Sequence, residues 1–211
     1  MDQHEHKQTV VEQIEAALTD RIVRGELKPD EKLRQDHIAE EFDASHVPVR
    51  EAFRRLEARG LAKSIPRRGV RVSTFSISDA KEVAEMRAAL EVLALRHAFP
   101  FHTAYTLNLA LEAIEDGERA LDVFTWEEAN QRFHRTIIST CKMPKLLATI
   151  DDLHLASARF LFSTWRSRWE TRTEHDHRTI LKALHKGEID TAAAVLERHV
   201  RLTGRKLSTF F

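Results

Sequence analysis

Apolar residues recur with a helical period along most of this chain, and the pattern gives way to a strand-like alternation in one short stretch, residues 61–75. That switch limits the fold to helices nearly throughout, with room for one small hairpin. Turn formers agree: 6 Gly and 5 Pro in 211 residues leave few reversals, so long helices are expected. An apolar fraction of 42% with 31% charged residues excludes a disordered chain. The longest run without Asp, Glu, Lys or Arg, residues 97–111, has 15 residues, short of the roughly 20 that a membrane helix needs. The single cysteine, Cys141, excludes an intrachain disulfide and suits a reducing, cytoplasmic setting. The polar start MDQHEHKQ does not read as a secretory signal.

Residues 8–24 place Val11, Ile14, Leu18 and Ile22 on one helical stripe, and Gly25 stops it. GELKPDEKL reads as a loop. Residues 35–42 form a short helix with Ile38, Ala39 and Phe42 inward. In the next, residues 47–59, Val49, Phe53 and Leu56 point in, while Arg50, Arg54, Arg55 and Arg59 point out. Residues 61–65 and 70–73 read as strands around the turn Pro66-Arg67-Arg68-Gly69. Three helices and a hairpin make an N-terminal winged helix-turn-helix, assigned to residues 1–76.

Residues 77–211 carry no strand signal and are expected to form an all-α antiparallel six-helix bundle. Ser78 is expected to cap the first helix, with Val83, Met86, Leu90, Leu93 and Ala94 facing in. A second helix covers about 103–121, and a capping box from Thr125 to Glu128 opens a third. Pro144 starts a fourth, running to about 168; the fifth and sixth cover about 173–185 and 190–207. The class is mainly α.

The chain balances 33 Lys and Arg against 33 Asp and Glu, but unevenly. Residues 45–75 hold Arg50, Arg54, Arg55, Arg59, Lys63, Arg67, Arg68 and Arg71 against only Glu51 and Glu57. Such a basic stretch is either a footprint for phosphate or a solvated helix face.

Pro29, Leu33, Ile38-Ala39, Ser45, Pro48-Val49-Arg50-Glu51-Ala52, Leu56, Gly60-Leu61 and Gly69 give the stretch from about Val10 to Ser73 its character. In that order and spacing the stretch resembles the DNA-binding domain of GntR-family bacterial transcription regulators. The remainder resembles the FadR-type effector domain of that family, the FCD domain. Glu85-Met86-Arg87 with Leu90-Glu91 matches its start, and its six-helix length is similar to the VanR branch.

On this reading Ser45 caps the recognition helix and reaches a phosphate or base edge. His46 faces base edges at a position where the family usually has Arg; a neutral imidazole makes one hydrogen bond where guanidinium makes two. Arg50 lies one turn on and matches a position the family uses on DNA. Arg34, Arg54 and the wing-tip residues Arg67, Arg68 and Gly69 complete the candidate DNA contacts.

Eight of the twelve histidines lie beyond residue 78. His134, His177 and His199 each sit among the apolar positions of their helices, and Asn130 shares a face with His134 at i, i+4. Three imidazoles converging in a bundle can hold Zn²⁺ or a similar divalent ion with open positions; otherwise they are hydrogen-bonded core residues. The resemblance implies an Asp and three His as metal ligands, and Asn130 stands at the Asp position. An amide there leaves the centre one positive charge richer, weakens the metal and favours an anionic ligand. His97, His102, His154, His175 and His185 read as surface or satisfied residues.

The resemblance also implies that Arg87 reaches a carboxylate of a small organic-acid effector; the alternative is a pair with Glu91 at i, i+4. Arg159 is a second pocket candidate, and Trp165 and Trp169 read as core or interface. Together these features imply a ligand-responsive regulator, expected to act as a repressor, that binds a palindromic operator as a homodimer. A metal-dependent enzyme on the bundle is the rival. A di-iron site wants paired Glu-x-x-His motifs, but only Glu174-x-x-His177 fits, and Gln131 stands where the second Glu would be. An architectural DNA binder without an effector would leave the histidine trio unexplained.

Overall fold

The computed structural model describes residues 8–165 and 175–208. Trp169, Glu174 and the side chain of Trp165 lie outside the described residues. The chain divides into two compact units, residues 1–75 and 76–211.

The first unit runs α1 (Val10–Val23), β1 (Lys32–Leu33), α2 (Gln35–Glu41), α3 (His46–Ala58), β2 (Ala62–Ile65) and β3 (Gly69–Val72). Ile14, Leu18 and Ile22 of α1 are buried with Val49, Phe53 and Leu56 of α3, as their spacing predicts. Ile38 and Ala39 of α2 join them, and Phe42 is half-buried. The hairpin forms as expected, but the sheet has a third strand in the order β1-β3-β2. Lys32 and Leu33, expected in a loop, pair antiparallel with Arg71 and Val70. Two residues are too few to show an alternation, so only the partner strand reveals them. The wing turns through left-handed backbone at Arg67 (φ 63°) and Gly69 (φ 80°).

The second unit holds α4 (Ile77–Ala98), a 3₁₀ turn at Phe99–Phe101, α5 (Ala104–Arg119), α6 (Val123–Ile138), α7 (Pro144–Trp165), α8 (His175–His185) and α9 (Ile189–Ser208). These are the six bundle helices. Helix α4 packs against α7 and α9, α5 against α6 and α8, and α8 against α9. Phe133, Ile137, Ile150, Ile180 and Leu196 lie at the centre of the core.

Two helix starts differ from expectation. Ser76, not Ser78, caps α4 through a reciprocal box with Asp79. Asp122, not Thr125, caps α6: one carboxylate oxygen accepts from the amides of Phe124 (2.8 Å) and Thr125 (2.9 Å). A charged acceptor makes the stronger cap there.

The buried face of α4 is also rotated. Met86 and Leu93, expected inward, are 42% and 40% exposed. Ala94 is buried as expected, but Ala80, Ala84, Arg87, Ala88, Glu91, Leu95 and Ala98 make up the rest of the buried face. Small residues on this face let α9 approach closely. A Cβ placed on Gly204 of α9 would lie 2.1 Å from the Ala84 Cβ.

Gly204→Ala ordinarily favours a helix by about 1 kcal/mol. Here it is expected to destabilise by roughly 1–3 kcal/mol, because the facing Ala84 atom cannot swing aside. Denaturant unfolding checks this, and Ala84→Gly in the same chain should recover most of the loss.

Candidate nucleic-acid interface and buried histidine centre

In the first unit, α2, α3 and the sheet enclose a concave surface of about 680 Å³. Arg34, His46, Arg50, Arg54 and Gly69 line it, together with Lys32, Gln35, Asp36 and His37, which the sequence did not single out. Its chemistry is set by which arginines are already neutralised. Arg55 lies 3.3 Å from Glu15 and Arg59 3.5 Å from Glu15, so both brace α3 on α1. Lys63 and Arg71 face Asp30, and Arg54 lies 3.7 Å from Glu51. Arg34, Arg50, Arg67 and Arg68 are exposed and have no ion-pair partner among the described residues. Uncompensated guanidinium groups beside a recognition helix suit phosphate and base edges.

Ser45 occupies the N-cap of α3, yet its side chain makes no capping bond. The expected cap is therefore absent, and the exposed hydroxyl is available to another partner. His46 lies 3.3 Å from Asp36 on α2, and Gln35 donates to the His46 carbonyl at 3.4 Å. The departure at position 46 thus also couples α3 to α2.

The second unit brings the three predicted imidazoles together. Ligand nitrogens of His134, His177 and His199 lie within 4.8 Å of one another, with His177 Nε2 3.1 Å from His199 Nε2. Nitrogens sharing a tetrahedral metal at about 2.1 Å stand roughly 3.4 Å apart, so the trio fits one ion. Two carboxylates orient it. His134 donates from Nδ1 to Glu91 Oε2 at 2.6 Å, and His199 faces Asp176 Oδ2 with Nδ1 at 3.3 Å. Each contact leaves Nε2 for the shared centre, the usual outer support of metal-ligating histidines. Asp176 is held well below the usual carboxylate range, first by the His199 hydrogen bond, which exceeds the opposing effect of burial, and further by the charge of His199 and by Arg198.

Glu91 is fully buried, and burial alone would raise its pKa. Arg87, His134 and His154 together outweigh this largest single effect and hold Glu91 well below the carboxylate range. Arg87 is the partner that carries charge at neutral pH, since burial pushes His134 down to about 4 and also lowers His154. Neutral imidazole is the form a metal requires. Arg87 donates from Nε to Glu91 at 2.9 Å and from Nη1 to Ser157 at 2.9 Å. The pair with Glu91 is therefore formed.

Glu91 enters the sequence reading only as that partner, and His154 is set aside there. The structure makes both central. His154 is fully buried, with Nε2 3.3 Å from Glu91 Oε1 but off the hydrogen-bond direction. Contacts spanning 43 residues or more leave no spacing signature, so no motif could have shown them. His185 Nδ1 faces the Leu181 carbonyl, as expected of a satisfied residue, whereas His102 meets the Ile137 carbonyl through Nε2 and leaves its buried Nδ1 without a partner among the described residues.

Arg87, Glu127, Asn130, His134, Ser157 and His199 line a cavity of about 20 Å³, room for about one water molecule. Arg159 is not among its lining residues. It is buried, which lowers its pKa to about 10.

Each unit matches a known family. Residues 10–72 match the bacterial regulatory proteins of the gntR family, and residues 82–202 match the FCD domain. The chain belongs to the GntR family, with an FCD domain. It is a transcription regulator and not an enzyme. Among its relatives, the transcriptional regulator YdhC of Bacillus subtilis is 29% identical over 81% of this chain and 79% of its own length. The transcriptional repressor GlaR of Escherichia coli is 28% identical over 85% of this chain and 87% of its own length. The D-xylose utilization operon repressor of Paenarthrobacter nicotinovorans, named as probable, is 29% identical over 91% and 86%. The solved structure of E. coli McbR/YncC shares the fold, with a TM-score of 0.83 at 22% identity over 96% of this chain and 98% of that one. No helix among the described residues is long and apolar enough to cross a membrane.

Removing Glu91 from this GntR regulator strands a buried guanidinium. Glu91→Ala is expected to cost about 3–5 kcal/mol of stability. Arg87→Met with Glu91→Leu should recover most of it in urea unfolding, because neither charge then remains buried.

Proposed function

We propose that the protein is a ligand-responsive repressor that acts in the cytoplasm as a homodimer on a near-palindromic operator. The observation that carries the DNA reading is the selective pairing of arginines. Those facing α1 and Asp30 are neutralised, while Arg34, Arg50, Arg67 and Arg68 are left for DNA. Ser45, His46, Arg54 and Gly69 complete the proposed contact set. Two half-sites double the contact energy and match two-fold protein symmetry. Repression is the action recorded in the names of GlaR and the D-xylose operon relative.

In the bundle, His134, His177 and His199 would hold a divalent ion, with Zn²⁺ best suited to an imidazole set and Asn130 as a further oxygen donor. When bound, the ion supplies positive charge and open coordination positions for a small carboxylate. Arg87 lines the same cavity and supplies the second cationic contact. The cavity is too small for an organic acid, so effector entry would require its lining to part. Linkage then requires operator DNA to weaken effector binding by the same factor by which the effector weakens DNA binding.

Arg50→Ala is expected to weaken binding to the operator by about 1–3 kcal/mol. Arg59→Ala, which removes an arginine turned toward Glu15, should leave it nearly unchanged. Fluorescence anisotropy with DNA from upstream of the protein's own gene reads both, and equal losses would remove the recognition-helix assignment. His177→Ala is expected to abolish stoichiometric metal by elemental analysis. One metal per chain in that variant would refute the centre.

A further inference from the structure

Asn130 stands where an acid would make the stronger metal ligand, yet a carboxylate lies one hydrogen bond behind it. Glu127, one turn earlier on α6, is 4% exposed. Its Oε2 accepts from Asn130 Nδ2 at 2.9 Å, and its Oε1 accepts from Gln131 Nε2 at 3.0 Å. An ionised carboxylate only accepts, so the nitrogen end of the Asn130 amide must face Glu127. The Asn130 orientation therefore follows from chemistry rather than from an arbitrary choice of oxygen and nitrogen. Its carbonyl oxygen is turned away from Glu127, and Asn130 lines the same cavity as His134 and His199.

Glu127 does not join the imidazole cluster. The described acid and histidine groups whose ligand atoms lie within 4.8 Å of one another are His134, His177, His199 and Glu91, His134, His154. Its position is behind the amide, not in the donor set.

We propose that Glu127 is a positioning residue that makes Asn130 a competent metal ligand. It fixes the amide with Oδ1 available to the ion and polarises it through a charge-assisted hydrogen bond. Its own negative charge lies outside the donor set, so a carboxylate ligand would meet no anionic donor on the ion.

This inference rests on the metal reading above, and its test separates the two. Zn²⁺ affinity is measured by competition with a chromophoric chelator, with Co²⁺ absorption spectra reporting ligand geometry and thermal melting of the metal-free protein reporting the fold. Glu127→Gln is expected to lower Zn²⁺ affinity by about 10–100-fold, the usual cost of losing an outer-shell partner. Glu127→Gln with Asn130→Asp exchanges acid and amide while keeping the hydrogen bond, and should restore the affinity. Unchanged affinity in Glu127→Gln overturns the proposal, as does a loss that the exchanged pair does not restore. Where Glu127→Gln fails to fold, Asn130→Asp alone decides. Its new carboxylate faces Glu127 at hydrogen-bond distance, so the gain should stay below about tenfold, and a larger gain overturns the proposal. A wild-type protein that takes up no Zn²⁺ overturns the metal reading and this inference together, whereas wild-type binding with an indifferent Glu127→Gln overturns only the inference.

Discussion

One buried carboxylate, Glu91, holds the interior of the bundle in its arrangement. It stands on α4 and meets His134 of α6 and His154 of α7, while Arg87, one turn earlier on its own helix, supplies the balancing charge. Burying such a pair costs several kcal/mol per ion before any attraction is counted. Well-packed apolar residues of similar volume would stabilise the bundle at least as well. The pair is therefore poorly explained by stability. What it provides is direction: a fixed Nδ1 proton on His134, and with it a fixed Nε2 lone pair.

The same logic recurs around the trio. Asp176 sets the Nδ1 side of His199. His177 is held differently, by its ring lying 4.3 Å, centroid to centroid, from that of Phe133 in the core. Acceptors outside and nitrogens inside give a site whose orientation is settled before a ligand arrives, which reduces the ordering cost of binding. Glu127 behind Asn130 extends this pattern from imidazole to amide.

Much of this was legible in the sequence, and the missing parts share a cause. The helices, the hairpin and the inward placement of His134, His177 and His199 follow from periodicity, because one apolar stripe per helix specifies which face turns inward, while their meeting at one centre was what the family resemblance implied. The face of α4 was misread for the same reason. Periodicity scores Met86 and Leu93 as core and Arg87 and Glu91 as surface, whereas packing against α9 selected Ala80, Ala84 and Ala88 for their size. Strand β1 needed its partner β3 to be recognised. Glu91, His154 and Asp176 needed the fold itself, since each matters through a residue on another helix.

The balanced net charge conceals two opposite uses of arginine. In the first unit Glu15 and Asp30 neutralise Arg55, Arg59 and Arg71, which ties α3 to α1 and holds the wing to its preceding loop. Subtracting these leaves a basic face narrower than the composition suggests. In the second unit Arg87 is buried and its charge is spent inside the molecule, on Glu91 and Ser157. The sequence distance between an arginine and its acid does not distinguish these cases, because Arg55 and Glu15 are 40 residues apart and Arg87 and Glu91 only four. Solvent does. An exposed pair gains little, and its arginine can exchange partners, whereas the buried pair can be opened only by a ligand that brings an equivalent negative charge. The small carboxylate proposed as the effector meets that requirement.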